Sequence, residues 1–263
     1  MKKIIFAAVC IFAVALIIGC QSSQDGGDSP TVTTRVYNGA GHIGDYITFE
    51  VNATDFTWSY TNLTSPETLF GTYGINANGT YLATIETTGA EFAVLELPDI
   101  ALICPISTES GVLLTAATLK GDFSQSDLLG EYVFVDFLSC CWGTFEIKAD
   151  NTIDFTYYAV ATPEYTVVTS ETNVAYTYNN DGTITFPQWP AMRVMVSPAG
   201  VMIVDNGPGL GMMIGVEKPT SSITWSTGTY NCMDQSSGIV GICSLESSGQ
   251  MSWDFEGMTG GGA

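Results

Sequence analysis

The sequence predicts an all-β fold built of tandem antiparallel meander modules, each a small barrel or sandwich of about eight short strands. Three observations carry that expectation. Thr, Val, Tyr, Phe and Ile are dense, and few segments carry apolar residues at helical spacing. Turn residues recur every eight to twelve positions, the rhythm of short strands joined by hairpins. The chain also repeats itself.

The repeat is read by self-comparison. GEYVFVDFLSCCWGTFEIKADNTIDFTYY, from Gly130, aligns without gaps on GTYNCMDQSSGIVGICSLESSGQMSWDFE, from Gly228, at an offset of 98. Gly130/Gly228, Tyr132/Tyr230, Asp136/Asp234, Ser139/Ser237 and Gly143/Gly241 are identical, and Ile147/Leu245 and Phe155/Trp253 match in kind. Upstream, FEVNATDFTWSY from Phe49 parallels FEIKADNTIDFTYY from Phe145. The expected layout is module 1 over 33–125, module 2 over 130–226 and a partial third repeat over 228–263. That third unit spans 36 residues where about 98 are expected. It reads as a fragment, which the bare glycine-rich end favours, or as three strands that cap another module.

Module 2 parses into strands at 130–138, 143–149, 152–160, 174–179, 183–187, 192–197, 201–205 and 211–217, with one longer connection at 161–173. Each of the other junctions is a short turn. Asp181-Gly182, between two β-rich runs, predicts a type I′ turn, in which both central residues take positive φ. Eight sequential strands in so short a span fit an up-and-down barrel or a two-sheet sandwich. Gly130-Glu131-Tyr132 resembles the G-x-W opening of lipocalin and avidin barrels, over that one strand alone. The competing parse divides each module into two propeller-like blades, but a propeller needs at least about four blades to close.

The N-terminus carries an address. Lys2 and Lys3 precede an unbroken apolar run, Ile4 to Ile18. That run is shorter than the roughly 20 residues of a spanning helix, and no basic stop-transfer cluster follows it. Large Ile17 and Ile18 fit ordinary signal cleavage poorly. Ile17-Ile18-Gly19-Cys20 resembles the lipobox of bacterial lipoproteins. The resemblance implies removal of residues 1–19 and acylation of Cys20, a membrane anchor made stable by several acyl chains. Gln21, in place of an inner-membrane retention Asp, points to the outer membrane, on a face the sequence leaves open. Residues 20–32 then form a flexible tether, because Ser, Gly, Asp and Pro cannot bury enough apolar surface to order themselves.

Composition excludes some functions. Once Lys2 and Lys3 are removed, five Lys and Arg face 27 acidic residues, a formal charge of −22. Such a chain repels phosphate backbones, so nucleic acid is not a partner. The partner expected beyond the membrane is a protein or a glycan.

Candidate chemistry is sparse. His42 is the only histidine, so any triad would have to use it; in GAGHIGDY it reads as a solvated loop residue. No zinc spacing and no EF-hand loop is present, and no cofactor is implied. Adjacent Cys140 and Cys141 point to opposite faces of a strand, and the plainer reading has one of them bridged to Cys104. Cys232 and Cys243 occupy the places of Phe134 and Phe145 on two successive strands, and a disulfide between facing positions is expected. Met192, Met195, Met202, Met212 and Met213 read as core packing.

The leading functional reading is a non-enzymatic, lipid-anchored envelope protein that binds or scaffolds. The alternative is a carrier enclosing a small apolar ligand among Tyr132, Phe134, Phe145, Ile147 and Phe155. A hydrolase using acidic residues comes third.

Overall fold

The structure, a computed structural model, describes residues 34–76, 80–106, 111–138, 141–160, 165–218, 227–233, 240–246, 251–255 and 258–262, with backbone alone at 160, 165 and 166 and in parts of the last strands. Strands β1 (Thr34–Gly41), β2 (Tyr46–Asn52), β3 (Thr57–Asn62), β4 (Glu67–Ile75), β5 (Tyr81–Ile85), β6 (Glu91–Leu97), β7 (Ile100–Pro105) and β8 (Thr115–Leu119) run in sequence order. Each pairs with the next, and β1 closes on β8, from Tyr37↔Leu119 to Gly41↔Thr115. This is an eight-stranded up-and-down barrel.

After a single 3-10 turn at Gln125–Leu128, the pattern resumes. The strands are β9 (Gly130–Asp136), β10 (Trp142–Ile147), β11 (Thr152–Val160), β12 (Tyr165–Ala175), β13 (Thr177–Tyr178), β14 (Thr183–Phe186), β15 (Trp189–Val196), β16 (Val201–Asp205) and β17 (Met212–Glu217). First again pairs with last, β9 with β17, and the sheet opens between β12 and β13. These closures overturn the propeller parse, since blades would leave β1 and β9 at separate edges. The stretch 161–173, expected as a connection, includes most of β12, the longest strand.

A third sheet, β18 (Gly228–Met233), β19 (Val240–Leu245), β20 (Met251–Phe255) and β21 (Met258–Gly262), is a four-stranded meander, one strand more than expected. Its registers repeat those of the second barrel at the sequence offset. Gly130↔Ile147 recurs as Gly228↔Leu245, and Phe145↔Phe155 as Cys243↔Trp253.

Four hairpins share one turn. In 41–44, 148–151, 179–182 and 197–200 the first residue's N–H bonds the carbonyl just beyond the turn, at 2.8, 3.0, 2.9 and 2.8 Å. The fourth residue is left-handed: Gly44, Asn151, Gly182 and Gly200, with φ from 62° to 87°. At 179–182 this corrects the type I′ expectation. Gly182 alone takes positive φ, Asp181 does not, and the Gly182 N–H donates to the Asn179 carbonyl at 3.2 Å. A three-residue loop ending on a left-handed residue gives the same strand twist by another route.

Alternation fills both barrels. Inward residues of the first, including Tyr37, Phe49, Trp58, Tyr60, Ile85 and Phe92, make one apolar core. Those of the second, including Tyr132, Phe134, Phe145, Ile184, Val194 and Met202, make another. A third core lies between the barrels. Outward Ala40, Leu95, Leu102 and Ala116 pack against outward Met195, Val201, Ile203 and Ile214. Buried on both faces, β7 and β16 read as unbroken apolar runs, IALIC and VMIV.

Candidate functional site

The five residues expected to line a ligand chamber sit on β9, β10 and β11 with their side chains turned inward. Register sets them side by side: Tyr132 opposite Phe145, Phe145 opposite Phe155, Ile147 opposite Ile153. Tyr132, Phe134, Phe145 and Ile147 are at most 2% exposed and belong to the barrel core. Phe134 stacks on Phe155, centroids 5.7 Å apart, and Phe145 meets Phe186 edge-on at 6.4 Å. The Tyr132 hydroxyl donates to the Leu128 carbonyl at 3.0 Å, and burial raises its pKa. Small barrels fill their interiors in this way.

Phe155 is different, because it also lines a pocket. Phe155, Trp189, Pro190, Ala191, Met192, Asn206, Leu210 and Met213 surround about 400 Å³ open to solvent. Met192 and Met213 are buried there, whereas Leu210 is 62% exposed. Asn206 is the one amide in the lining, and its Nδ2 already reaches the Leu210 carbonyl at 3.4 Å. Such a lining suits an apolar or aromatic molecule. Trp189 and Leu210 were not singled out in the sequence. The available signal was a large apolar residue in a Gly/Pro-rich loop, GPGLG, and one such residue is commonplace.

A second, more polar groove of about 590 Å³ crosses the outside of β2–β5. Its floor consists of two register rows. Asn52, Thr57, Thr72 and Thr84 make one, and Glu50, Ser59 and Phe70 the other, with the Glu86 N–H bonded to the Phe70 carbonyl. Phe70 is 48% exposed.

Two carboxylates, half-buried Glu96 and buried Asp205, have defined electrostatics. At one end of the first barrel, Glu96 accepts from Arg35 Nε and Nη2 and from the hydroxyls of Tyr37 and Tyr81. Burial pushes its pKa up, but these donors together outweigh burial and hold it below the usual range. Both carboxylate oxygens are thus occupied, which makes the cluster a plug. Between the barrels, Asp205 is 1% exposed, 3.6 Å from Arg193 Nη1, and accepts from the Gly207 N–H at 2.9 Å. Burial raises its pKa to about 6 against these two partners. Arg193 also lies over the Tyr46 ring of the first barrel, 4.7 Å from its centroid. Burial, with Asp181 adding repulsion, pushes Tyr46 up to about 12.

His42 is half-buried, in a turn of the first barrel that docks on the 206–211 loop of the second. The Gly209 N–H donates to the Ile43 carbonyl at 2.8 Å, and a Cβ on Gly44 would stand 1.9 Å from the Gly207 oxygen. The expectation of a merely solvated loop is corrected by that contact. The methionines divide between faces: Met192, Met202 and Met213 inside the second barrel, Met195 and Met212 in the seam. No group of three or more His, Cys, Asp or Glu able to hold a metal occurs among the described residues.

The cysteine geometry also needs correcting. Cys232 pairs with Gly241 and Cys243 with Tyr230, as Phe134 pairs with Gly143 and Phe145 with Tyr132. The two cysteines are diagonal neighbours, not facing ones, so the spacing assumed for a bridge does not apply. The side chain of Cys232, and all of Cys20 and Cys140, lie outside the described residues. Cys104 is buried in the inter-barrel core, and Cys141 is half-buried.

No family model matches the chain, and no curated protein does. Among solved structures, the chain is weakly similar to the β subunit of DNA polymerase from Streptococcus pyogenes, with 11% identity and a TM-score of 0.17, covering 82% of this chain and 64% of that one. A DNA polymerase sliding clamp from Caulobacter crescentus gives 7% identity and a TM-score of 0.15, covering 97% and 84%. Neither likeness carries a functional argument.

Proposed function

We propose that this protein is a non-enzymatic component of the bacterial cell envelope, anchored by acyl chains on Cys20, that binds or scaffolds through its β modules. The observation that carries the reading is the filling of both barrels. Their interiors are occupied by their own side chains, so recognition falls to the outer surface. The groove over β2–β5, with hydroxyls, two carboxylates and exposed Phe70, offers contacts for a protein or glycan partner. The lipobox resemblance of Ile17-Ile18-Gly19-Cys20 supports the anchor, and Gln21 after it supports the outer-membrane address.

A second reading, a carrier of a small apolar ligand, is favoured by the pocket beside Phe155 and Trp189. Native mass spectrometry of residues 21–263, made in the periplasm without lipid and compared with the denatured mass, separates the two. A bare native mass supports the binding reading. An added mass that disappears on denaturation and in Trp189→Ala transfers the assignment to the carrier. The anchor is tested on the full chain: Cys20→Ser is expected to lose metabolic palmitate labelling and membrane sedimentation, and retention of both would end that part of the proposal.

A further inference from the structure

The two barrels furnish the same patch of outer wall differently. FEVN of β2 and FEIK of β10 are equivalent stretches, so Asn52 stands where the second barrel has Lys148. Ser59, opposite Glu50, stands where it has Asp154, opposite Glu146. In the second barrel Lys148 Nζ lies 2.6 Å from Asp154 and donates to the Asn173 side chain at 3.3 Å, so the chain places its own cation on this wall. The first barrel does not. Its groove is lined by Glu50 and Glu86 but by no Lys or Arg, and both carboxylates are exposed. Neither has an ion pair among the described residues. Lys120 stands in the same row as Glu50 but two strands away, beyond Val36 of β1.

Glu50, Ser59, Phe70 and Glu86 form one row, from β2 to the end of β5. Neighbouring strands lie about 4.8 Å apart, so the two carboxylates are about 14 Å apart along the wall. Phe70, 48% exposed, occupies the position next to Glu86. The seam between the barrels shows what a ring beside a carboxylate can hold: Arg193 lies over Tyr46 and 3.6 Å from Asp205. Phe70 and Glu86 offer the same two groups without the guanidinium. We propose that this groove takes an extended basic segment of a partner protein, with an arginine between Phe70 and Glu86 and a second basic residue at Glu50. In an extended chain, residues i and i+4 are also about 14 Å apart, so two basic residues at that spacing match the row. Arginine suits the Phe70 end because its planar guanidinium stacks on a ring while bonding a carboxylate. Charge selects this occupant. The chain's formal −20 draws cationic partners, and a neutral glycan would leave both carboxylates uncompensated. The proposal rests on the reading that recognition falls to the outer surface.

Fluorescence anisotropy of a labelled, end-blocked peptide, Arg-Thr-Val-Thr-Arg, titrated with residues 21–263 tests the inference. Binding that weakens as salt rises from about 50 to 300 mM is expected. Glu50→Gln and Glu86→Gln are each expected to weaken it about threefold, and Phe70→Ala by a similar factor. Glu146→Gln removes the same charge from the equivalent row of the second barrel and is expected to leave binding unchanged. Circular dichroism matching the parent chain shows that each variant remains folded. Absence of binding at about 1 mM protein overturns the proposal. So does an equal loss in Glu146→Gln, which would make the attraction general to the acidic chain, and so does equal affinity for the isomer Arg-Arg-Thr-Val-Thr. Chitohexaose binding that ignores salt and is lost in Phe70→Ala would give the groove to a neutral glycan. The basic segment then falls while recognition by the outer surface stands. That broader reading fails separately, on the added mass in native mass spectrometry that Trp189→Ala removes.

Discussion

At the residue scale, two carboxylates, half-buried Glu96 and buried Asp205, answer pH in opposite senses. Glu96 is held below its ordinary 4.5 by Arg35, Tyr37 and Tyr81, so its contribution is present above that value and is lost as pH falls through the lower folded pKa. Asp205 is raised from 3.8 to about 6, so the folded state binds its proton more tightly than the unfolded chain. Its contribution is full below 3.8 and is lost as pH rises through about 6. Between pH 7 and pH 5 Asp205 therefore adds about 1 kcal/mol of stability on acidification, a window above the titration of Glu96. Relief of the general negative charge acts in the same direction, so the variant Asp205→Asn isolates the local effect. Urea midpoints measured from pH 7 to pH 5 are expected to rise more in the parent chain than in that variant. Equal slopes would remove Asp205 from the account.

At the element scale, the register explains why some strands tolerate only glycine. Gly143 of β10 lies opposite Phe134 of β9, whose ring covers it: a Cβ there would fall 2.3 Å from Phe134 Cζ and 2.2 Å from the Thr156 oxygen. Gly143→Ala is expected to cost about 3 kcal/mol in chemical denaturation, with part of the loss recovered when Phe134→Leu is added. An unchanged midpoint in the single variant would refute this close packing. Gly143 and Gly241 were visible as a matched pair in the sequence, as were most strands of the second barrel, because period-two alternation and turn residues are local signals. Strand β12 was missed for a physical reason. Its residues 167–173 are exposed on both faces, so YTVVTSETNVA carries no apolar/polar alternation to read. Of the pocket, only Phe155 was legible. Trp189, Leu210 and Met213 reach it from separate strands and loops, and their meeting is a product of barrel closure.

At the scale of the whole molecule, the decisive feature is the core between the barrels. Runs such as IALIC and VMIV lack the alternation of a half-exposed strand, and their continuous hydrophobicity is the trace of burial on two sides. Ala40, Ala93 and Ala116 keep the first barrel's wall thin enough for Met195, Ile203 and Ile214 to approach. Arg193 over Tyr46 and the Gly209–Ile43 hydrogen bond close one side of the contact. Two barrels joined in this way should lose stability together. Ile203 belongs to the second barrel, is fully buried and points into the seam. Ile203→Ala is expected to cost about 3 kcal/mol, the ordinary price of an aliphatic cavity. The informative readout is where that loss appears. Hydrogen exchange should rise in β6–β8 of the first barrel as well as in β15–β17, because the residues facing the cavity across the seam belong to the other module. A rise confined to the second barrel would mean that the barrels open independently and that the seam is contact without coupling.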